Sequence, residues 1–166
     1  NSGIVVSINP QDVKEYSKQP ALSLMKFQQE CEQKIYIHNQ TSPAQRISDF
    51  IRNKPSNNIS ATSYPSGLQA CNMNDYLPRI IAEHLKEGFK VFDRRIKGFI
   101  SNQATMIGLE SRTSSPVRIL RDKDSLQHPQ LAMLFPCGEG AGYAGGITSS
   151  AIDGVNAAEK ISQILK

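Results

Sequence analysis

Apolar residues along the chain fall into two patterns: short β-branched runs, and longer stretches with a step of three or four. Residues 3–8 (GIVVSI) are a β-branched run and predict a strand. The segment Pro10–Pro20 is polar and loop-like, with room for a helical turn or two over Gln11–Ser17. From Ser23 to about Tyr36, Leu24, Phe27, Cys31 and Ile35 recur at helical spacing and predict an amphipathic helix with one buried stripe. Cys31 lies on that stripe and reads as a small core residue. A shorter apolar pattern, Ile47, Phe50 and Ile51, follows Ser42 and Pro43. The strongest helix starts at Asn74 or Asp75, either of which can cap it, with Pro78 in its first turn. Leu77, Ile80, Ile81, His84, Leu85 and Gly88 share its buried face, which continues to Phe92. On that face His84 reads as a packed core histidine, and Gly88 as a point of close backbone approach.

Strands are predicted again at Thr105–Ser111 (TMIGLES) and Val117–Arg121 (VRILR). Leu131–Phe135 reads as a further, buried strand. The chain closes with a helix from Ile147 to Leu165, whose shared face is Ile147, Ala151, Ile152, Val155, Ala158, Ile161 and Leu165. Between Pro55 and Asn74 lies an uncharged stretch rich in Ser, Asn, Pro and Gly, longer than an idle connection needs. Strands mixed with amphipathic helices make the expected fold class α+β.

Composition narrows the class without naming a function. At 166 residues with 20% charged and 39% hydrophobic residues, the chain reads as a soluble globular protein. No run approaches the roughly 18 apolar residues of a membrane span. The first residue is Asn, in a strand-like run, so the sequence is expected to be a piece of a longer protein. A net charge of +4 is compatible with nucleic acid, but the basic residues are scattered. The densest group, Arg94, Arg95 and Lys97, has no interleaved aromatic platform, so a solvated surface is the better reading. Cys31, Cys71 and Cys137 lie far apart without CxxC spacing, which points to a reducing, cytoplasmic setting. His38, His84 and His128 are equally dispersed, and no metal site is expected.

The candidate chemistry is concentrated between the last predicted strand and the last helix. Five of the eleven glycines, at 138, 140, 142, 145 and 146, fall there. Glycine lets backbone come close to a ligand, and a helix starting just afterwards directs its free N–H groups and positive dipole end at the turn. Gly140, Gly142 and Gly145 form a GxGxxG. A dinucleotide fold would need a second parallel strand and a distant acidic residue beyond it. The sequence ends at Lys166 directly after the helix, so an opening NAD-binding unit is not expected. A closing unit is: Glu139 could accept bonds from ligand hydroxyls, and the N–H groups of Gly146, Ile147 and Thr148 could face negative charge.

Residues 134–154 (LFPCGEGAGYAGGITSSAIDG) resemble the carboxy-terminal signature of a family of bacterial FAD-dependent dehydrogenases of unassigned substrate. Residues 112–118 (RTSSPVR), 60–67 (SATSYPSG) and, more weakly, 43–50 (PAQRISDF) resemble further motifs of that family in the same order. The resemblance implies a flavoprotein with an amino-terminal FAD-binding Rossmann half, an inserted substrate domain and a carboxy-terminal return to the FAD domain. On that reading residues 1–129 are a substrate-type domain. Residues 130–166 supply the last strand and helix of a Rossmann-like FAD domain. The partners implied are the missing amino-terminal half and a small-molecule substrate, with neither nucleic acid nor membrane. Cofactor contacts are expected at Gly138, Glu139, Gly140, Gly142, Gly145, Gly146, Ile147 and Thr148, with Gly145 to Ile147 at the flavin's pyrimidine edge. The catalytic base is not identified.

Residues 112–118 can be a plain polar connection or an anion site, because arginine forks match carboxylate and phosphate. Arg112, Ser114 and Arg118 are the substrate candidates there. Tyr143 joins them, as a ring that packs on flavin, lines the substrate entrance or fills a gap. Cys137 reads as a packing residue. The competing function is a non-catalytic interaction module with a structural glycine turn; nucleic-acid binding ranks last.

Overall fold

Phe50 and Gln45, both fully buried, lie at the centre of the larger of two compact units. The computed structural model describes residues 2–35 and 41–165, so the helix end expected near Tyr36, and His38, lie outside the described residues. One unit comprises Asn1–Asn9 and Gln29–Ser111; the other comprises Pro10–Gln28 and Arg112–Lys166. The fold class is α+β: helices with a small mixed sheet.

In the first unit the sheet has the order β2-β1-β3. Its central strand β1 (Ser42–Arg46) pairs in parallel with β2 (Leu68–Ala70) and antiparallel with β3 (Thr105–Ile107). Alternation does not mark β1, because Pro43, Ala44 and Gln45 are all buried. The polar Gln45 is tolerated because both ends of its amide are bonded. Its Nε2 donates to the Lys54 carbonyl at 2.7 Å, and its Oε1 accepts from the Met73 N–H at 2.7 Å. Helix α2 (Ile47–Ile51) follows directly and buries Ile47 and Phe50. These residues pack with Met73, Leu77, Ala82, Leu85 and Phe89 in one cluster, where Phe50 and Phe89 meet edge to face at 6.1 Å.

Helix α1 (Ser23–Ile35) forms as its spacing predicts, burying Phe27 and Cys31. Burial raises the Cys31 thiol to a pKa of about 11, as suits a packed rather than a reactive cysteine. The expected turns over Gln11–Ser17 appear as a 3-10 segment, Pro10–Tyr16. Residues 3–8 form no strand; Ile4 and Val6 lean on the core as extended chain, without a ladder partner.

The long helix differs in start and face. A short 3-10 turn at Met73–Asp75, capped by the Asn72 side chain, comes first; α3 then spans Arg79–Arg95 with Pro78 outside it. Proline keeps the preceding residue out of helical conformation, so the start moves past it. The buried stripe is Ala82, Leu85 and Phe89, about one position round from the predicted one. His84 is therefore exposed, with Nδ1 2.7 Å from the Ile80 carbonyl oxygen. Gly88 meets nothing within 4 Å of an added Cβ, so it is not a close-approach position.

In the second unit Leu131–Phe135 is neither a strand nor buried. Leu131 is 56% and Met133 54% exposed, and Met133 has a positive φ of 62°. Val117–Arg121 is extended but unladdered, with Ile119 and Leu120 exposed. A strand requires a neighbour for its backbone donors and acceptors, and this unit contains no strand among the described residues. Helix α4 (Ile147–Ile164) forms as expected, but its apolar face is not covered. Only Ala157 is buried in it, while Ile147, Ile152 and Val155 are exposed.

Replacing Gln45 by Leu keeps roughly the same volume but strands the Met73 N–H and the Lys54 carbonyl. Leaving buried backbone groups unsatisfied costs about 1–3 kcal/mol each, so a loss of about 2–4 kcal/mol is expected in urea unfolding followed by circular dichroism. A midpoint within error of the parent would show that the amide does not hold β1 in place.

Candidate functional site

The glycine turn is shaped by contacts with its own unit. Gly138 has φ 72° and Gly142 φ 83°, left-handed values that favour glycine. At Gly142 a Cβ would stand 2.6 Å from the Val117 carbonyl oxygen, so the turn and the 112–118 segment touch through backbone. Gly142 N–H donates to the Glu139 carbonyl at 2.9 Å, and Tyr143 N–H to the Gly138 carbonyl at 3.1 Å. Ser115 adds a stitch, its hydroxyl donating to the carbonyls of Val117 (2.8 Å) and Gly140 (3.3 Å).

The strongest link was not singled out from sequence. Asp153, in the second turn of α4, takes two bonds from Arg121, at 2.7 and 3.0 Å, and a third from the Gly138 N–H at 2.8 Å. Arg121 also donates to the Pro136 carbonyl at 2.8 Å, and its guanidinium carbon lies 3.8 Å from the Tyr143 ring centre. The two charged side chains are only 11% and 14% exposed. One carboxylate thus fastens the helix, the turn and the 117–121 segment together. The hydrogen bonds from Arg121, ahead of the Gly138 N–H, hold its pKa below the ordinary aspartate value against the opposing effect of burial. In the sequence Asp153 stands out only as the first charged residue of α4, preceded by apolar and hydroxyl-bearing residues, with nothing local to tie it to Arg121.

Of the predicted substrate residues, Arg112 pairs with Glu139 at 3.3 Å across an exposed surface. That contact joins a residue read as substrate-binding to one read as cofactor-binding. Arg118 donates from Nε to the Gly142 carbonyl at 3.0 Å, and its guanidinium lies 4.9 Å from the Tyr143 ring centre. Tyr143 therefore stacks with Arg118 and Arg121, a cation–π arrangement that fixes its ring. Ser114 is exposed and lines a cleft together with Arg118 and Tyr143.

The predicted cofactor residues divide by what their own chain asks of them. Gly138 and Gly142 are engaged by the fold. At Gly140 and Gly145 an added Cβ would meet nothing within 4 Å. Gly146 is the N-cap of α4; its N–H donates to Ser149 Oγ at 3.1 Å, and that hydroxyl donates back to the Gly146 carbonyl at 3.0 Å. Gly145, Gly146, Ile147 and Thr148 are all exposed, Ile147 at 94%. The first turn of α4 is thus an open N-terminus that favours an anionic or electron-rich group. Cys137 is exposed rather than packed, because the residues before it form no buried strand. Among the described residues no cluster of His, Cys, Asp and Glu could hold a metal, and no helix is long and apolar enough to cross a membrane.

The Asp153 pKa is lower folded than unfolded, so the stabilisation is complete above the unfolded aspartate value of about 3.9 and is lost as pH falls through the folded value. Acid titration of the fold should therefore show a loss below about pH 4 that Asp153→Asn flattens. At neutral pH, Asp153→Ala leaves Arg121 unpaired and should cost about 3 kcal/mol. Identical acid profiles for the parent and Asp153→Asn would contradict this account.

Comparison with known proteins gives the chain a family. It is 37% identical over 163 residues to an uncharacterized protein of Clostridium beijerinckii, which covers 97% of this chain and 30% of that protein. The chain thus spans less than a third of the relative it matches. Residues 1–113 match the family described as FAD-dependent protein, C-terminal domain-like, and the chain belongs to that family.

Proposed function

We propose that this chain is the carboxy-terminal portion of an FAD-dependent oxidoreductase of the dehydrogenase type, and that its glycine turn borders the flavin. One observation carries the reading: in a chain of an FAD-dependent family, the exposed segment Gly145–Thr148 leaves an uncovered helix N-terminus beside a turn pinned by Asp153. The donor set suits the cofactor, since backbone N–H groups and a helix dipole stabilise negative charge on a ring without adding a titrating side chain. Bound FAD would supply the redox chemistry, accepting a hydride equivalent from a small-molecule substrate. This chain's residues would orient it. Asp153 and Arg121 hold the turn in shape, Gly145 and Gly146 let backbone come close, and the first turn of α4 provides the positive end. Substrate contacts fall to Ser114, Arg118 and Tyr143, with Arg112 held by Glu139.

The rest of the cofactor site belongs, on this reading, to an amino-terminal half in the same polypeptide. Two features support that division. The relative is more than three times as long as the matched segment, and both the apolar face of α4 and Leu131, Met133 and Leu134 are uncovered. Apolar area of this kind is ordinarily covered. Residues 130–166 would then complete a Rossmann-like domain, and Leu131–Phe135 would become a strand once a neighbouring strand pairs with it. Residues 1–129 would form the substrate-type domain. A bacterial, cytoplasmic setting accords with the bacterial relative and with three free cysteines.

A second reading, a non-catalytic module with a structural turn, draws on the use of Gly138 and Gly142 by their own chain. Substitution separates the two. Alanine at Gly145 and Gly146 is sterically permitted and should change stability by no more than about 1 kcal/mol. In the full-length protein the double variant should purify folded with flavin absorbance reduced at least about tenfold, while Gly142→Ala should disturb the fold itself. Full flavin in the double variant would remove the cofactor role. The present chain alone should take up no stoichiometric FAD in equilibrium dialysis, and a yellow, one-to-one complex would refute the division of the site.

A further inference from the structure

Beside the glycine turn the second unit has a cleft of about 570 Å³. Pro10, Pro20, Leu24 and Val117 supply apolar lining, Arg118 and Tyr143 line it as well, and the exposed Ser114 belongs to it too. The size and the mixture of apolar wall with a few polar groups are those of small-molecule sites. Hydroxyls and arginines near the cleft are not equally available. Ser115 donates to the Val117 and Gly140 carbonyls, Arg112 is paired with Glu139, and Arg121 is paired with Asp153.

Arg118 is different. Its Nε is held by the Gly142 carbonyl, and its guanidinium is stacked on Tyr143, so the group is fixed in place. Among the described residues neither of its terminal amines has a protein hydrogen-bond partner, and it makes no ion pair. A guanidinium tied through Nε and stacked on a ring presents its two remaining amines as a fork, the geometry that receives a carboxylate through two parallel bonds. Pre-fixing the side chain also removes much of the ordering cost of binding. Phosphate is the poorer match, because a dianion calls for more than one free cation and, among the described residues lining the cleft, Arg118 is the one cation.

We infer that this cleft binds a small organic acid: an apolar body against Pro10, Pro20, Leu24 and Val117, and a carboxylate on the terminal amines of Arg118. Ser114 can meet a second polar group. The inference rests on the oxidoreductase reading only where the acid is called that enzyme's substrate; the binding itself requires no flavin.

Phenylacetate is a suitable probe, with phenylacetamide as its neutral match and inorganic phosphate as the competing anion. Titrated into the chain and followed by amide chemical shifts, phenylacetate should bind with a Kd on the order of 1 mM. It should bind about tenfold more tightly than the amide, more tightly than phosphate, and shift the amides of Arg118 and Gly142–Gly145. Arg118→Gln should abolish the preference for acid over amide. Because that change also removes the tether to Gly142, a second variant is needed. Ala21→Trp fills the cleft from its exposed 3-10 turn, leaves Arg118 untouched, and should abolish binding of acid and amide alike. Equal affinity for acid and amide, tighter binding of phosphate, shifts elsewhere, or binding unchanged in either variant would overturn the inference. So would the absence of binding. The outcome is separable from that of the flavin experiment: acid binding by a protein whose longer form never holds flavin keeps the site and removes the enzyme reading.

Discussion

One carboxylate organises the second unit. Asp153 receives Arg121 and the Gly138 N–H together, and through Arg121 it also reaches the Pro136 carbonyl and the Tyr143 ring. The unit has no sheet among its described residues and little buried apolar surface on α4; its buried apolar side chains include Val13, Phe27, Ala141 and Ala157, and the charge-assisted network adds to that small core. Such a pair contributes less to net stability than to a defined geometry, since desolvation offsets much of its attraction. Its effect here is positional. It fixes the second turn of α4 against the start of the glycine turn, and the first turn of the helix is left open between them.

That economy has a counterpart in what the glycines do. Gly142 is required by the Val117 carbonyl, and Gly138 by a left-handed bend that aims its N–H at Asp153. Gly145 answers to no steric demand from its own chain. The same is true of Gly88 and Gly140; Gly145 is set apart by its place beside the exposed N-terminus of α4. The uncovered faces of α4 and of Leu131–Leu134 are apolar surface of the kind that is ordinarily covered.

Helices with a clear apolar step were legible. The α1 stripe of Phe27 and Cys31 and the existence of α3 and α4 follow from spacing alone; the strand expected over Thr105–Ser111 contains β3 but runs past its end at Ile107. The central strand β1 was not legible, because Pro43, Ala44 and Gln45 have neither alternation nor high strand propensity; they are strand by burial and by the Gln45 bonds to Lys54 and Met73. Leu131–Phe135 erred in the other direction. Its composition is that of a buried strand, but strand is a property of pairs, and this unit offers no partner. His84 was assigned inward because a helical stripe one position off still catches several apolar residues; Phe89 and Ala82 fix the true direction. At the site, the glycine turn and the arginines were evident from composition. The Arg121–Asp153 pair was not, since 32 positions separate its members and no local pattern links them.

The central claim is that the open first turn of α4 lies against flavin in the full-length protein. Amide hydrogen exchange measured on that protein, flavin-loaded and flavin-stripped, addresses it directly. The account predicts that the amides of Gly145–Thr148 become protected when FAD is bound, while those of unit-one strand β1 are unchanged. Full occupancy by FAD with no change in exchange at Gly145–Thr148 would contradict it.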